Sequence, residues 1–398
     1  MTTILAISSY FKGEDLLREC RRLGARTILL TEEKLKNDPW PRESIDEVFL
    51  MPNLGKLPDM LYAVSYLART EQIDRIIPLD EYDVEMAAIL REHLRLPGMG
   101  ITQTKNFRDK LAMRQVAKAA GLREPEFSPV INHNQIREFA EKHPAPWVLK
   151  PRLEAGAMGI KRVFHADELW ETIHQLGDQA SFRVLEQYVP GDVYHVDALT
   201  VNGETVFVNV SRYGRPPLNV SHDGGVFVTY TLPQNDPDAE ALVRMNRQVI
   251  EALGHRHGPT HAEFIKSHSD GQFNFLEIAA RVGGAHIADL VAASTGVNLW
   301  AEWARLEIAT ARGEPYELPP FKHLHGTLLV CLARQQWPDL NSYNAPEVVW
   351  KLNKEQHAGV IIVSEDWNRV EQLRNEYVER FSHDFLATAP AKEGHHQV

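Results

Sequence analysis

The stretch 261-HAEFIKSHSDGQFNFLEIAARVGG-284 reads as two strands, 260–266 and 273–279, around a turn. Ser269-Asp270-Gly271 fits a three-residue hairpin loop, with glycine in the left-handed position such a loop needs. In that register Glu263 lies directly across from Glu277, and both side chains point to one face. Facing like charges destabilise a hairpin unless something sits between them. A divalent cation relieves the repulsion, and oxygen-only ligands favour Mg²⁺ or Mn²⁺. The competing reading is a solvated face with two tolerated glutamates. Arg281 follows on the same strand end, ahead of Gly283-Gly284. Its planar guanidinium suits a phosphate or a carboxylate, although an arginine at a strand end is by itself more often a surface residue.

A second stretch, 146-PWVLKPRLEAGAMGIKRV-163, climbs through apolar residues to Lys150 and then turns through Gly156 and Gly159. In a P-loop the lysine follows the glycines at a helix start. Here it precedes them, and another strand follows. The pattern is a glycine loop between antiparallel strands, able to fold over phosphates as a lid with Lys150 as a point charge. An ordinary hairpin with a snorkelling lysine fits this segment alone as well.

The 398 residues suggest two or three domains. Hydrophobic content of 43% and charged content of 24% are those of an ordinary soluble protein. Two distant cysteines, Cys20 and Cys331, point to a reducing compartment, and the default location is cytoplasmic. No apolar run reaches the ~20 residues of a membrane span. A net charge of −11 without basic runs argues against a nucleic-acid partner.

Strands at 3–8, 26–30 and 75–79 alternate with helices at 14–23, 59–69 and 82–93, which predicts a parallel sheet. A helix over 108–120 opens a new unit. Strands at 146–150, 160–164 and 182–189, with a helix at 167–176, follow it. Asn202-Gly203 joins strands near 194–201 and 205–211. Residues 212–225 read as a loop, 237–253 as a helix, and the remainder as strands near 324–332 and 359–363 with a helix near 365–380. The tail 388–398 looks frayed. The fold class is mixed α/β and α+β.

Together, 108-RDKLAMR-114, 147-WVLKP-151, 186-EQYVPGDVYHVD-197, 261-HAEF-264 and 276-LEIAARVGG-284 resemble the ATP-grasp superfamily, in its carboxylate–amine ligase branch. The resemblance implies an N-terminal Rossmann-like domain over 1–107, a central and lid subdomain over 108–187, and a catalytic antiparallel-sheet subdomain over 188–315. A small α+β extension over 316–398 completes it. It also implies an ATP-dependent ligase with Mg²⁺ or Mn²⁺, acting on small-molecule acids and amines, with a homodimer in view. By position, Lys110 and Lys150 match lysines that contact ATP phosphates, and Gly156 through Gly159 match the lid. Glu186, Gln187, Tyr188 and Val189 match adenine-bordering positions. Glu263 and Glu277 match the metal acids, and Arg281 matches a basic residue near the transferred phosphate.

Two positions depart from the pattern. Ala279 stands where the family often has a metal-ligating asparagine, so water or another residue must substitute. Val193 stands where a ribose-binding acid is common, which leaves Asp192 or His195 for that role. Bicarbonate activation and a nucleotide-binding module without turnover are the competing functions. His255, His257 and His261 form no standard zinc spacing. Arg212, Tyr213 and Arg215 are candidates to clamp a substrate carboxylate, and Asp80 and Glu81 to meet the amine.

Overall fold

The computed structural model describes residues 1–387; the tail expected to fray lies outside the described residues. Its first sheet is wholly parallel, with β1 (Thr3–Ser8), β2 (Arg26–Glu32), β3 (Glu47–Met51) and β4 (Arg75–Pro78) in the order β3-β2-β1-β4. Ile4, Leu5, Ala6 and Ile7 are fully buried, as befits a strand covered on both faces. The edge strand β3 is half-buried, and its short run gave no clear alternation.

The helix expected over 108–120 spans Lys110–Ala119, and a further, unexpected helix, Ile101–Arg108, precedes it. Asp109 separates them. Its backbone is extended, and its carboxylate accepts from Leu111 N at 3.0 Å and from Arg152 Nε at 2.8 Å. The start of the second helix places Lys110 at the interior of the molecule.

The second sheet, order β5-β8-β6-β7, holds β5 (Phe127–Pro129), β6 (Trp147–Pro151), β7 (Lys161–Val163) and β8 (Arg183–Gln187). β6 and β7 are antiparallel, so the glycine segment does connect two hairpin strands.

The third sheet comprises β9 (Gly191–Val201), β10 (Glu204–Tyr213), β11 (Phe227–Thr231), β12 (Gly258–Ser267), β13 (Phe273–Ala279), β14 (His325–Leu332), β15 (Val348–Lys351) and β16 (His357–Ser364). Their order is β13-β12-β9-β10-β11-β14-β16-β15. Two of the last three strands, β14 and β16, were expected, in a separate extension, and β15 was not; all three continue this sheet through the β11–β14 ladder. β11 had not been anticipated, nor had the short helix Pro217–Asp223 inside the expected loop 212–225. Helices Ile287–Thr295 and Leu299–Arg312 were also missed. No helix among the described residues is long and apolar enough to cross a membrane.

One face of this sheet is apolar. Tyr194, Val196, Phe264 and Phe275 pack there against the helices Lys110–Ala119 and Pro237–Leu253. The opposite face carries polar side chains in two adjacent rows. One row runs Ala279–His261–Asp197–Asn209 and the next runs Glu277–Glu263–His195–Ser211.

Candidate active site

Glu263 does pair with Glu277, but not by the expected hairpin. Near the turn Lys266 pairs with Phe273, and Ser267 N donates to Gln272 O at 2.9 Å, so the loop is one residue longer than predicted. A bulge between Glu263 and Phe264 then absorbs one residue of β13, Leu276, and restores the predicted pairing. Two offsets of one residue cancel, and the carboxylates meet on the same face.

The partners of these acids come from several elements. Lys110 Nζ lies 3.1 Å from Glu277 Oε2 and also donates to Glu154 O at 2.6 Å. Tyr213 donates to Glu263 Oε1 at 2.7 Å. Burial, reinforced by the Glu263 charge, raises the Tyr213 phenol well above its ordinary range, so it stays a donor. His261 Nε2 faces Glu263 Oε1 at 3.7 Å, and its Nδ1 lies 2.8 Å from Asp197 Oδ1. Asp197 Oδ2 holds His195 Nδ1 at 2.7 Å, and His195 Nε2 lies 2.7 Å from Thr229 Oγ1. Burial opposes charge at both sites. Even so, the two imidazoles hold Asp197 well below the carboxylate range, and Asp197 with Glu263 lifts His261 to about 9. Gly283 is required by close approach: a Cβ there would lie 2.7 Å from Asp197 Oδ1 and 3.0 Å from His261 Nδ1.

Lys110, Tyr213, His261, Glu263 and Glu277 border a cavity of about 490 Å³. Its opposite wall is β6, the end of β8 and the glycine segment, including Lys150, Ala155, Gly156 and Met158. Gly156 and Gly159 both take positive φ, at 66° and 64°. Val148, Leu276 and Ile278 give the cavity apolar surface, and Gln187, Tyr188 and Val189 edge it. Arg162 stacks 4.9 Å from the Tyr188 ring centroid and bonds Asn219 of the short helix, so both flaps touch.

Glu186, expected at an adenine-bordering position, lines the cavity. Its side chain is buried between two cations, Lys150 Nζ at 2.6 Å and Arg114 Nε at 3.0 Å. Burial raises its pKa, but Arg114 and Lys150 outweigh that and hold it at about 2. Arg281 lines the cavity, yet its Nε is bound to Glu81 Oε2 at 2.6 Å. Glu81 also accepts from Arg108 at 2.6 Å. Glu81 is thus spent on cations, as is Asp80, which pairs with Lys12 and caps Tyr82 N at 3.0 Å. Of the two residues expected to meet an amine, Glu81 lines the cavity and Asp80 does not.

Neither candidate for ribose reaches the cavity wall. His195 is fully buried in the polar face, and Asp192 lies on the other face of β9, bound to Arg212 at 2.9 Å. Of the expected clamp only Tyr213 arrives; Arg215 pairs with exposed Asp223 at 3.2 Å. His255 packs on Phe107 and burial pushes it down to about 3, while His257 lies 2.8 Å from Thr310 Oγ1. These two share no site with His261. The sequence reading missed Asp197, Arg114 and the bracing role of Glu81. The period of two in His195-x-Asp197 and His261-x-Glu263 was the available signal.

Comparison with known proteins agrees with this geometry. Residues 143–289 match the ATP-grasp domain family. An L-arginine-specific L-amino acid ligase of Bacillus subtilis is 28% identical over 262 residues, covering 64% of this chain and 62% of that protein. The match thus spans about three fifths of the relative. The crystal structure of an L-amino acid ligase from Bacillus licheniformis superposes with TM-score 0.75 at 18% identity, covering 97% of this chain and 98% of that one. N5-carboxyaminoimidazole synthetase from Staphylococcus aureus, solved with ADP, gives TM-score 0.71 at 17% identity over 94% and 96% of the two chains. The hairpin that opposes Glu263 to Glu277 therefore lies inside the segment that matches the ATP-grasp domain family, and the chain carries an ATP-grasp domain there.

Proposed function

We propose that this chain is an ATP-dependent carboxylate–amine ligase acting on amino acids or similar small molecules through an acyl phosphate. The observation that carries the reading is the opposition of Glu263 and Glu277 across a cavity from Lys150 and its glycine segment. The similarity to a ligase of L-amino acids supports the substrate class. ATP with Mg²⁺ or Mn²⁺ is the cofactor set this reading requires.

The two opposed carboxylates fit a divalent cation, since among the described residues only the Lys110 ammonium pairs with Glu277. When bound, such an ion supplies charge neutralisation on phosphate oxygens. The side chains do the rest. A carboxylate is a poor acyl donor because oxide is a poor leaving group. Its attack on the γ-phosphate of ATP gives an acyl phosphate, and an amine then displaces phosphate from the acyl carbon. Such transfer asks mainly for positioning and fixed charge. Glu186 and Arg114 anchor Lys150 at the cavity edge, and Lys110 and Arg281 supply further positive charge. Gly156 through Gly159 close over the phosphates and keep water from the acyl phosphate. The backbone of Glu186, with Gln187, Tyr188 and Val189, borders the base.

The same reading divides the chain at about 107 and 187, with residues 316–398 as an extension joined to the catalytic sheet, and places it in the cytoplasm as a homodimer, which light scattering tests. The decisive assay is ADP and phosphate release across paired acids and amines, with mass detection of the amide. Release that needs both partners supports the ligase. Release with bicarbonate alone, or none despite bound ATP, overturns it. In Glu277→Gln turnover should fall by about 10²-fold or more, by analogy with loss of a charge-stabilising group, with the circular dichroism spectrum unchanged.

A further inference from the structure

The polar face holds a buried cluster, His195, Asp197 and His261, whose ligating atoms lie close together. It is not itself a metal cage, because its atoms are spent on one another. Each Asp197 oxygen already holds an imidazole Nδ1, at 2.7 and 2.8 Å, and His195 Nε2 is taken by Thr229. The atom with a different outlook is His261 Nε2, which is turned toward Glu263.

We propose that His261 Nε2 is a third protein ligand of the divalent cation held by Glu263 and Glu277. The inference rests on the reading of those two acids as metal ligands. Four observations carry it. His261 stands two residues before Glu263 on β12, hence on the same face. Its cross-strand partner is Ala279, whose small side chain leaves room for the ring above β13. Asp197 accepts from Nδ1 and keeps the proton there, so Nε2 is the nitrogen that gives up its proton when a metal binds. A carboxylate–histidine–metal relay of this kind is how ligating imidazoles are oriented. Finally, Nε2 and Glu263 Oε1 are 3.7 Å apart, too far for a good hydrogen bond. Two donors each about 2.1 Å from one ion lie roughly 3 to 4.2 Å apart, which brackets that distance.

The chemistry has a consequence. An imidazole nitrogen in an otherwise oxygen site moves the preference from Mg²⁺ toward Mn²⁺. His195, Thr229 and Gly283 then serve as the support that keeps Asp197, and through it the ring, in place.

The test loads the full chain with Mn²⁺ and ADP and measures pulsed electron paramagnetic resonance, with natural and ¹⁵N-labelled histidine. The expected result is a directly coordinated nitrogen signal that shifts with the histidine label. In His261→Asn the signal should vanish while Mn²⁺ still binds, about tenfold or more weaker, with preference moved toward Mg²⁺. Bound Mn²⁺ in the wild type with no histidine-dependent signal overturns the proposal, whatever any variant does. A Glu277→Gln titration separates the two levels. Mn²⁺ binding lost there, without a nitrogen signal in the wild type, sinks His261 alone. Mn²⁺ binding unchanged there sinks the metal reading and this proposal together.

Discussion

At the residue scale the site is built from charges that are each answered by another. Glu186 is the sharpest case, 1% exposed, with Lys150 and Arg114 on its two oxygens. Removing one member of such a set leaves buried charge uncompensated. Glu186→Gln should therefore lose about 3–5 kcal/mol of stability in urea unfolding, and an unchanged midpoint would refute the pairing. Lys150 and Glu186 were both singled out from sequence, and both line the cavity. What was not legible is that they touch. Their pairing depends on β6 and β8 being neighbours, with Val148 opposite Glu186, and no local pattern encodes a strand partner.

At the scale of elements, the β12–β13 hairpin shows how a correct register can come from an incorrect turn. The loop is one residue longer than a reading of Ser269-Asp270-Gly271 gives, and Leu276 takes up the difference as a bulge. Because side chains alternate, a slip of one residue would carry Glu277 to the apolar face. Deleting Leu276 makes no such slip: it removes the bulge and leaves Glu277 next to Phe275 and opposite Glu263, so Mn²⁺ binding should persist; a deletion variant that loses Mn²⁺ binding with its circular dichroism spectrum unchanged would show the bulge itself to be required. The helix that carries Lys110 gives a second lesson. Its start is set by Asp109, whose carboxylate caps Leu111 and binds Arg152. Cap and ion pair together override the helical spacing that runs through 108–120.

Across the whole molecule, two deeply buried glutamates stitch the parts together. Glu81 follows β4, and it binds Arg108 before the helix Lys110–Ala119 and Arg281 after β13. Burial alone would raise its pKa, but the two arginines hold it at about 2, like Glu186. A carboxylate depressed in the folded state adds stability above its unfolded pKa and loses it as pH falls toward the folded value. The contribution of these two glutamates to the unfolding free energy should therefore be level above about pH 5 and decline between about pH 4.5 and 2. Urea midpoints measured across that range check this, and a flat profile down to pH 3 would contradict it.

The sequence by itself determined the parallel first sheet, the lysine-and-glycine hairpin, and the pair Glu263 and Glu277. Each of these is written in short-range patterns: continuous apolar runs, turn residues and a period of two. The tertiary structure alone decided which cations the acids meet, that Asp192 lies on the wrong face, and that β14 to β16 extend the catalytic sheet. It also decided that His261 stands above Ala279 and beside Glu263. Those relations join residues far apart in the chain, and they follow from strand order and burial, which no local sequence pattern states.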